Sequence, residues 1–579
     1  MPSGGKNWQT HFELSGGLET TPYAETLTFL ERLASESGKG RLLWIGETPM
    51  KRPLFVFAVD TNGGFSPEAA RKAGRLIVLV QNVIHGGEME GKDAWLLMLR
   101  DMLLAGEGAD ILEKAVLLVV PVFNADGHER MSPHNRPNQS GPASTGWRTT
   151  AQNLDLNRDY AKARSPEMRA LLTLFNEWLP DFIIDNHTTN GADYQYHVTY
   201  SVETHETIDV GLAGFAREIL LPSVAGKVEE AGFLTAPYVQ LRTGRIEDGF
   251  ADPPSITRYS TGYAAAQNRL CFLVEAHSLK PYANRVASTR AMNAAILECL
   301  ANHAELLHDL NEAADQNAIM GFGERHDEFP LVVEASRDAA PFLFKGFESE
   351  WEYSDVTGAA LRRFLSEPVE FEVPYFAGSI VRETVTPPLA YFVPGEFSEV
   401  LEVLGLNGIE MRRIPDEPWL VERYEWDDLE FSGRPYEGRQ TVTCTVRPRR
   451  EWSNIGSGGF FVPVAQRRAR LVIQLLEPHG PDSFVFWGFF NAFLERKEYA
   501  EDFIFEPIAR KMLEGSRKLR VEFDERLQDD AFRHDAGARL DFFYRRSPYF
   551  DRREDTYPIL RLLEKHELGR KVRPRSSAE

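Results

Sequence analysis

The chain has 579 residues, 43% hydrophobic and 26% charged, with 65 Lys and Arg against 86 Asp and Glu for a formal net charge of −21. That balance is ordinary for a globular chain and excludes a mainly disordered one, and the length suits two or more domains. The acidic excess argues against nucleic acid, which is bound by Lys and Arg neutralising phosphates, and against docking on an anionic membrane.

In chain order, the first half reads as alternating strands and helices. Residues 75–84 are a β-branched, apolar run ending in His85-Gly86-Gly87-Glu88, followed by helical apolar spacing over 91–104. Residues 115–123 form another apolar run, ending in the turn sequence Asn124-Ala125-Asp126-Gly127. Residues 132–150 are a polar loop rich in Pro, Gly, Ser and Asn, of a length that is usually functional. Ser165-Pro166 then opens a helix through Trp178, with Ser as N-cap and Pro at the first helical position. Residues 181–185 and 269–274 read as short strands running into Asn186-His187 and Glu275-Ala276-His277, and 286–310 as one long helix. Unbroken apolar strands alternating with helices predict an α/β fold, with a mixed, mainly parallel central sheet and helices on both faces. From about residue 329 short strand-like runs separated by Pro and Gly predict a β-rich accessory region, and 482–514 an aromatic stretch followed by helix. The expected domains are 1–320 and 321–579.

No apolar run reaches the ~18 residues of a membrane span, and the N-terminus lacks the apolar core of a leader, so the chain as given is expected to be soluble. Cys271, Cys299 and Cys444 are spaced neither as a zinc ribbon nor as a redox pair and read as buried thiols. Oligomeric state and compartment are not legible.

Ligands of parallel sheets gather beyond the carboxyl ends of the strands, and His85, His187 and Glu275 each follow a predicted strand. A catalytic zinc ion commonly takes three His or Glu ligands and keeps a fourth position open. His85-x-x-Glu88 and His187 could supply them. His-x-x-Glu alone is weak, since with 14 histidines roughly one chance match is expected. No Gly-x-Ser-x-Gly elbow or His-Glu-x-x-His segment offers another hydrolytic anchor.

These blocks, in this order, resemble the zinc metallocarboxypeptidases related to carboxypeptidase A, whose His₂Glu zinc site is a known type. Carrying the resemblance are His85-Gly86-Gly87-Glu88, Asn124-Ala125-Asp126-Gly127, Trp147-Arg148, Asn153-Leu154-Asp155-Leu156-Asn157-Arg158-Asp159, His187 and Leu273-Val274-Glu275, over roughly residues 20–310. The resemblance implies one Zn²⁺ per chain on His85, Glu88 and His187, Glu275 as general base and Arg148 as oxyanion stabiliser. It also implies a peptide substrate whose terminal carboxylate is clamped by Asn157 and Arg158. The family's closing phenol has two candidates, Tyr259 and Tyr263. The family Arg beside the zinc-ligand Glu is replaced by Gly87, and Arg242, Arg245 or Arg258 could stand in for it. Ser260 and Thr261 fall near the specificity position; neither is charged, which weakly disfavours a pocket for basic residues. Larger bacterial members of the family carry a comparable C-terminal extension. The expected function is a zinc-dependent carboxypeptidase. An amidase or endopeptidase of the same fold acting on cell-wall-type peptides, and a non-catalytic peptide-binding protein, are the alternatives.

Overall fold

The computed structural model describes residues 8–189 and 192–565. In chain order the strands of the first part are β1 (Gly40–Glu47), β2 (Pro53–Val59), β3 (Leu76–Asn82), β4 (Ala115–Val120), β5 (Phe182–Thr189), β6 (Val198–Val202), β7 (Thr235–Pro237), β8 (Gln240–Leu241), β9 (Phe250–Ala251) and β10 (Leu270–His277). Eight of them form one mixed sheet in the order β1-β2-β4-β3-β5-β10-β6-β7. Its middle, β4-β3-β5-β10, is parallel, and antiparallel pairs flank it.

The parallel strands are apolar at nearly every position because both faces are covered. On β3, Ile77 and Leu79 pack with Leu171, Leu172 and Phe175 of the helix Pro166–Trp178. The alternate residues Leu76, Val78 and Val80 pack with Trp95 and Leu99 of the helix Glu90–Arg100 and with Met292 and Ile296 of the helix Tyr282–Asn302. Helix Pro166–Trp178 starts as its sequence dictates: the Ser165 hydroxyl accepts from the Met168 N–H and Pro166 occupies the first turn. The long helix expected over 286–310 is two, Tyr282–Asn302 and Ala304–Ala318, interrupted at His303. No Pro or Gly marks this break; the His303 ring bonds back to the Cys299 carbonyl at 2.9 Å.

The second part contributes β11 (Phe329–Ala335), β12 (Ala340–Ser354), β13 (Ala359–Phe376), β14 (Ser379–Val385), β15 (Ala390–Pro394), β16 (Glu417–Phe431), β17 (Val442–Ile455), β18 (Gly459–Pro463) and β19 (Leu560–Lys565). Five of these form the sheet β17-β16-β19-β15-β18, and helices between Asp502 and Tyr544 bury an aromatic cluster that includes Phe505, Phe523 and Phe543. The two parts interlock across residue 320. β13 pairs in parallel with β9, and one hydrophobic core runs from Val56 through Leu172 to Val472 and Ile559. The three cysteines are free thiols, as their spacing predicts. Among the described residues no helix is long and apolar enough to cross a membrane.

One buried acid lacks compensation. Both carboxylate oxygens of Glu167, in the first turn of helix Pro166–Trp178, lie buried without a partner among the described residues. Burial, with repulsion from Asp126 and Asp159, pushes this acid up to about 7 from an ordinary 4.5. The folded chain therefore holds the proton more tightly than the unfolded chain. Stability is full below the ordinary value, falls as pH rises toward 7, and is then lower by a constant amount. Glu167→Gln is expected to add about 1–3 kcal/mol at pH 8 and little at pH 4.5, read from urea midpoints at the two pH values. An equal gain at both would assign the effect to packing instead of ionisation.

Candidate active site

Sheet register assembles the first half of the site. β5 and β10 run parallel with His187 opposite Glu275 and Asp185 opposite Leu273. Alternation along each strand then points Asp185, His187, Leu273 and Glu275 to one side. The strands extend further than expected: His187 and Glu275 lie inside β5 and β10, which stay paired as far as Thr189 and His277. The polar residues that looked like post-strand turns are the ladder's last rungs. His277 is on the same strand but not in the cavity: its ring stacks on Tyr194, with centroids 4.1 Å apart, and reaches Asp193 at 3.2 Å.

The other half is a turn after β3. Val83 has φ of 60°, a left-handed conformation that strains a β-branched residue by about 1–3 kcal/mol. It swings the chain out of the sheet two residues before His85. Asn124 braces the turn, its amide donating to the carbonyls of Ile84 and Arg148 while its oxygen accepts from Gly127 N–H. Backbones meet here so closely that a Cβ on Gly86 would lie 2.3 Å from the Gly127 carbonyl carbon and 2.4 Å from the Trp147 carbonyl oxygen. This explains the Asn-Ala-Asp-Gly block and fixes Arg148 against the His85 turn.

His85, Glu88 and His187 converge, each buried, with one ligand atom apiece within 4.8 Å of the others. The Glu88 Oε2 lies 3.0 Å from His85 Nδ1 and 3.2 Å from His187 Nδ1. Each imidazole is held from behind by a carboxylate, His85 Nε2 by Asp155 at 3.1 Å and His187 Nε2 by Asp185 at 2.8 Å. Nδ1 lone pairs aimed at one point, with carboxylates orienting both rings, are the donor chemistry of a His₂Glu zinc site, and these residues fit that ion. Burial pushes the Glu275 carboxyl up to about 8, with the Glu88 and Asp185 charges adding to the effect and His187 opposing it. Its Oε2 has no hydrogen-bond partner.

A cavity of about 490 Å³ opens on this cluster, lined by His85, Glu88, His187 and Glu275 together with Arg148, Asn157, Arg158 and Tyr259. Arg148 pairs with Asp155 at 3.0 Å, and Arg158 packs its guanidinium over the Tyr259 ring at 4.6 Å. Tyr263 is not there. It lies on the inward face of the helix Ser260–Ala266, tilted against Tyr160 and edge-on to Phe175 in the core, its hydroxyl bonded to Gln267. Nor do the three candidate replacements for the family Arg line the cavity. Arg242 covers Phe376, Arg245 lies near Glu247, and Arg258 is buried in an ion pair with Asp482 at 2.8 Å. Arg136 fills the space instead. Its side chain lies where a Cβ on Gly87 would fall, and it donates to Glu88 Oε1 at 2.6 Å. The sequence reading missed Tyr238, Ser201, Gln240 and Asp252, which also line the cavity. Tyr238 follows the three-residue β7 beside Glu275, and burial raises its phenol above the ordinary range. A Tyr after so short a strand carries no sequence signal.

Residues 26–231 match the family model described as zinc carboxypeptidase. The matched stretch contains His85, Glu88, Arg148, Asn157, Arg158 and His187 and ends before Glu275. No curated protein matches the chain. Among solved structures, a metallo-carboxypeptidase from Burkholderia cenocepacia is similar at 17% identity and a TM-score of 0.36, over 48% of this chain and 70% of that one. A metallo-carboxypeptidase from Pseudomonas aeruginosa aligns at 18% identity and 0.34, over 48% and 69%. Carboxypeptidase A from Helicoverpa armigera aligns at 15% and 0.36, over 51% and 74%. The family match supports a peptide hydrolase.

Zinc content provides a direct check. The purified chain is expected to hold about one zinc per chain, His85→Ala to hold none, and Asp155→Asn to bind it about 10- to 100-fold more weakly by freeing the His85 ring. Full zinc in His85→Ala, measured by elemental analysis, would refute the ligand set.

Proposed function

We propose that the chain is a zinc-dependent metallocarboxypeptidase that removes C-terminal residues from peptides. The observation that carries this reading is the sheet register, which sets Glu275 beside His187 and opposite the Arg148, Asn157 and Arg158 side of one cavity. His85, Glu88 and His187 would hold zinc, which would polarise the scissile carbonyl and acidify a water. Glu275 takes the proton as that water attacks and returns it to the leaving amine; its buried, unpartnered Oε2 suits the exchange. Arg148 meets the oxyanion as its charge develops. Asn157 and Arg158 hold the terminal carboxylate, for which the planar guanidinium is suited.

Asp252 indicates side-chain preference. It follows β9, accepts the Ser201 hydroxyl at 3.1 Å, and has no basic side chain within ion-pair distance among the described residues. Burial and the nearby Glu203 push it up to about 6, against the pull of His205. A carboxylate so placed favours a substrate side chain that carries a cation, contrary to the neutral pocket suggested by Ser260 and Thr261.

A peptide library with mass readout tests both statements. Loss of single C-terminal residues is expected, with kcat reduced at least a thousandfold in Glu275→Gln. Equal cleavage of amidated C-termini would replace the carboxypeptidase reading by an endopeptidase one. Asp252→Asn is expected to lower kcat/KM for C-terminal Lys and Arg about tenfold relative to Leu and Phe. An unchanged ratio would remove Asp252 from the specificity pocket.

A further inference from the structure

The loop between β16 and β17, residues 432–441, enters the catalytic half of the molecule from the far end of the chain. Glu437 Oε2 accepts the backbone N–H of Asp155 at 2.9 Å. The Glu437 carbonyl accepts from Arg164 at 2.9 Å, and Gly438 packs directly on that guanidinium. The neighbouring Tyr436 ring is stacked on Trp487 at 5.7 Å with 13° between planes. Glu437 thus touches a group that braces the cavity without lining it.

We propose that this loop completes the active site: Glu437 is a positioning residue for the Asp155 that orients His85. This rests on the carboxypeptidase reading above. Asp155 is the N-cap of a three-residue 3₁₀ turn (Leu156–Arg158), and its N–H is anchored by a carboxylate 282 residues away, which leaves its side chain less freedom around His85.

The test uses the full-length, zinc-loaded chain and the variants Tyr436→Phe, Glu437→Ala, Glu437→Gln and, as a control on exposed β16, Glu430→Ala. Three quantities are read: kcat and KM on a peptide with a free C-terminal carboxylate, zinc affinity by competition with a chelating dye, and melting temperature. Tyr436→Phe, a second control in the same turn, is expected to leave zinc affinity and melting temperature nearly unchanged. Glu437→Ala is expected to weaken zinc about tenfold, and Glu437→Gln, whose amide oxygen still accepts the Asp155 N–H, to restore it. Unchanged zinc affinity in Glu437→Ala overturns the proposal. A drop in melting temperature with equal losses in kcat for every variant, Glu437→Gln included, makes the loop a structural prop and overturns it as well. Should the wild type cleave only blocked peptides, the carboxypeptidase reading fails, while the zinc comparison of Glu437→Ala with Glu437→Gln still decides the role of Glu437.

Discussion

The carboxylate of Asp155, close behind the cavity wall, ties three separate parts of the site together. Its Oδ1 meets His85 Nε2 and accepts the Asn157 N–H, and its Oδ2 takes both Nε and Nη2 of Arg148. Burial alone would drive a proton onto this acid, but His85, Arg148 and Arg158 together hold it well below the usual carboxylate range. One anion therefore fixes the His85 imidazole, the Arg148 guanidinium and the start of the turn that carries Asn157 and Arg158. These groups would otherwise repel or wander, and pinning them before substrate binds is how polar donors become useful in a dry site.

The loop that brings Arg148 is framed in the same way. Arg285, fully buried on helix Tyr282–Asn302, pairs with Glu90 at 2.7 Å and donates to the carbonyls of Ser140, Gly141, Ser278 and Lys280. Glu90 also takes the Thr188 hydroxyl, one residue past His187. Buried ion pairs seldom repay their desolvation as stability, so this density of them is better understood as geometry fixed at some cost in free energy. It holds residues 132–150 to the helix layer, and with them Arg136 against Glu88 and Arg148 against Asp155.

Much of this was legible because the parallel strands declare themselves. β3, β4, β5 and β10 are apolar on both faces, and the polar residues at their carboxyl ends stand out against that background. What stayed hidden comes from contacts that no local pattern encodes. Gly87 reads as a missing cation, yet the space it leaves is filled by Arg136 from 49 residues later. Tyr259 and Tyr263 are four apart; one lines the cavity and the other is core, because the helix between them starts at Ser260 and turns its second tyrosine inward. Asp252 reaches the wall only because two residues of β9 pair with the end of β13, 125 positions away in register. Tyr436 and Glu437 belong to a turn whose sequence, Pro-Tyr-Glu-Gly, reads as any hairpin end.

Arg258 shows how the two ends of the chain bear on one another. A sequence reading offers it as a spare cation for substrate. Folding instead encloses it between Phe486 and Trp487, with centroids 4.7 and 4.9 Å from its guanidinium, and neutralises it on Asp482. The aromatic stretch that looked like generic core is thus a cage for a cation the cavity does not use. It lies directly beneath Tyr259 and Ser260, whose backbone N–H points at the Asn157 side chain. The cavity keeps two lining guanidiniums, Arg148 and Arg158. A net charge of −21 spread over 579 residues does not oppose them, since surface charges are screened beyond about 8 Å at physiological salt. Those two arginines set the local field of the cavity, and the C-terminal part of the chain bears on that field by sequestering the third.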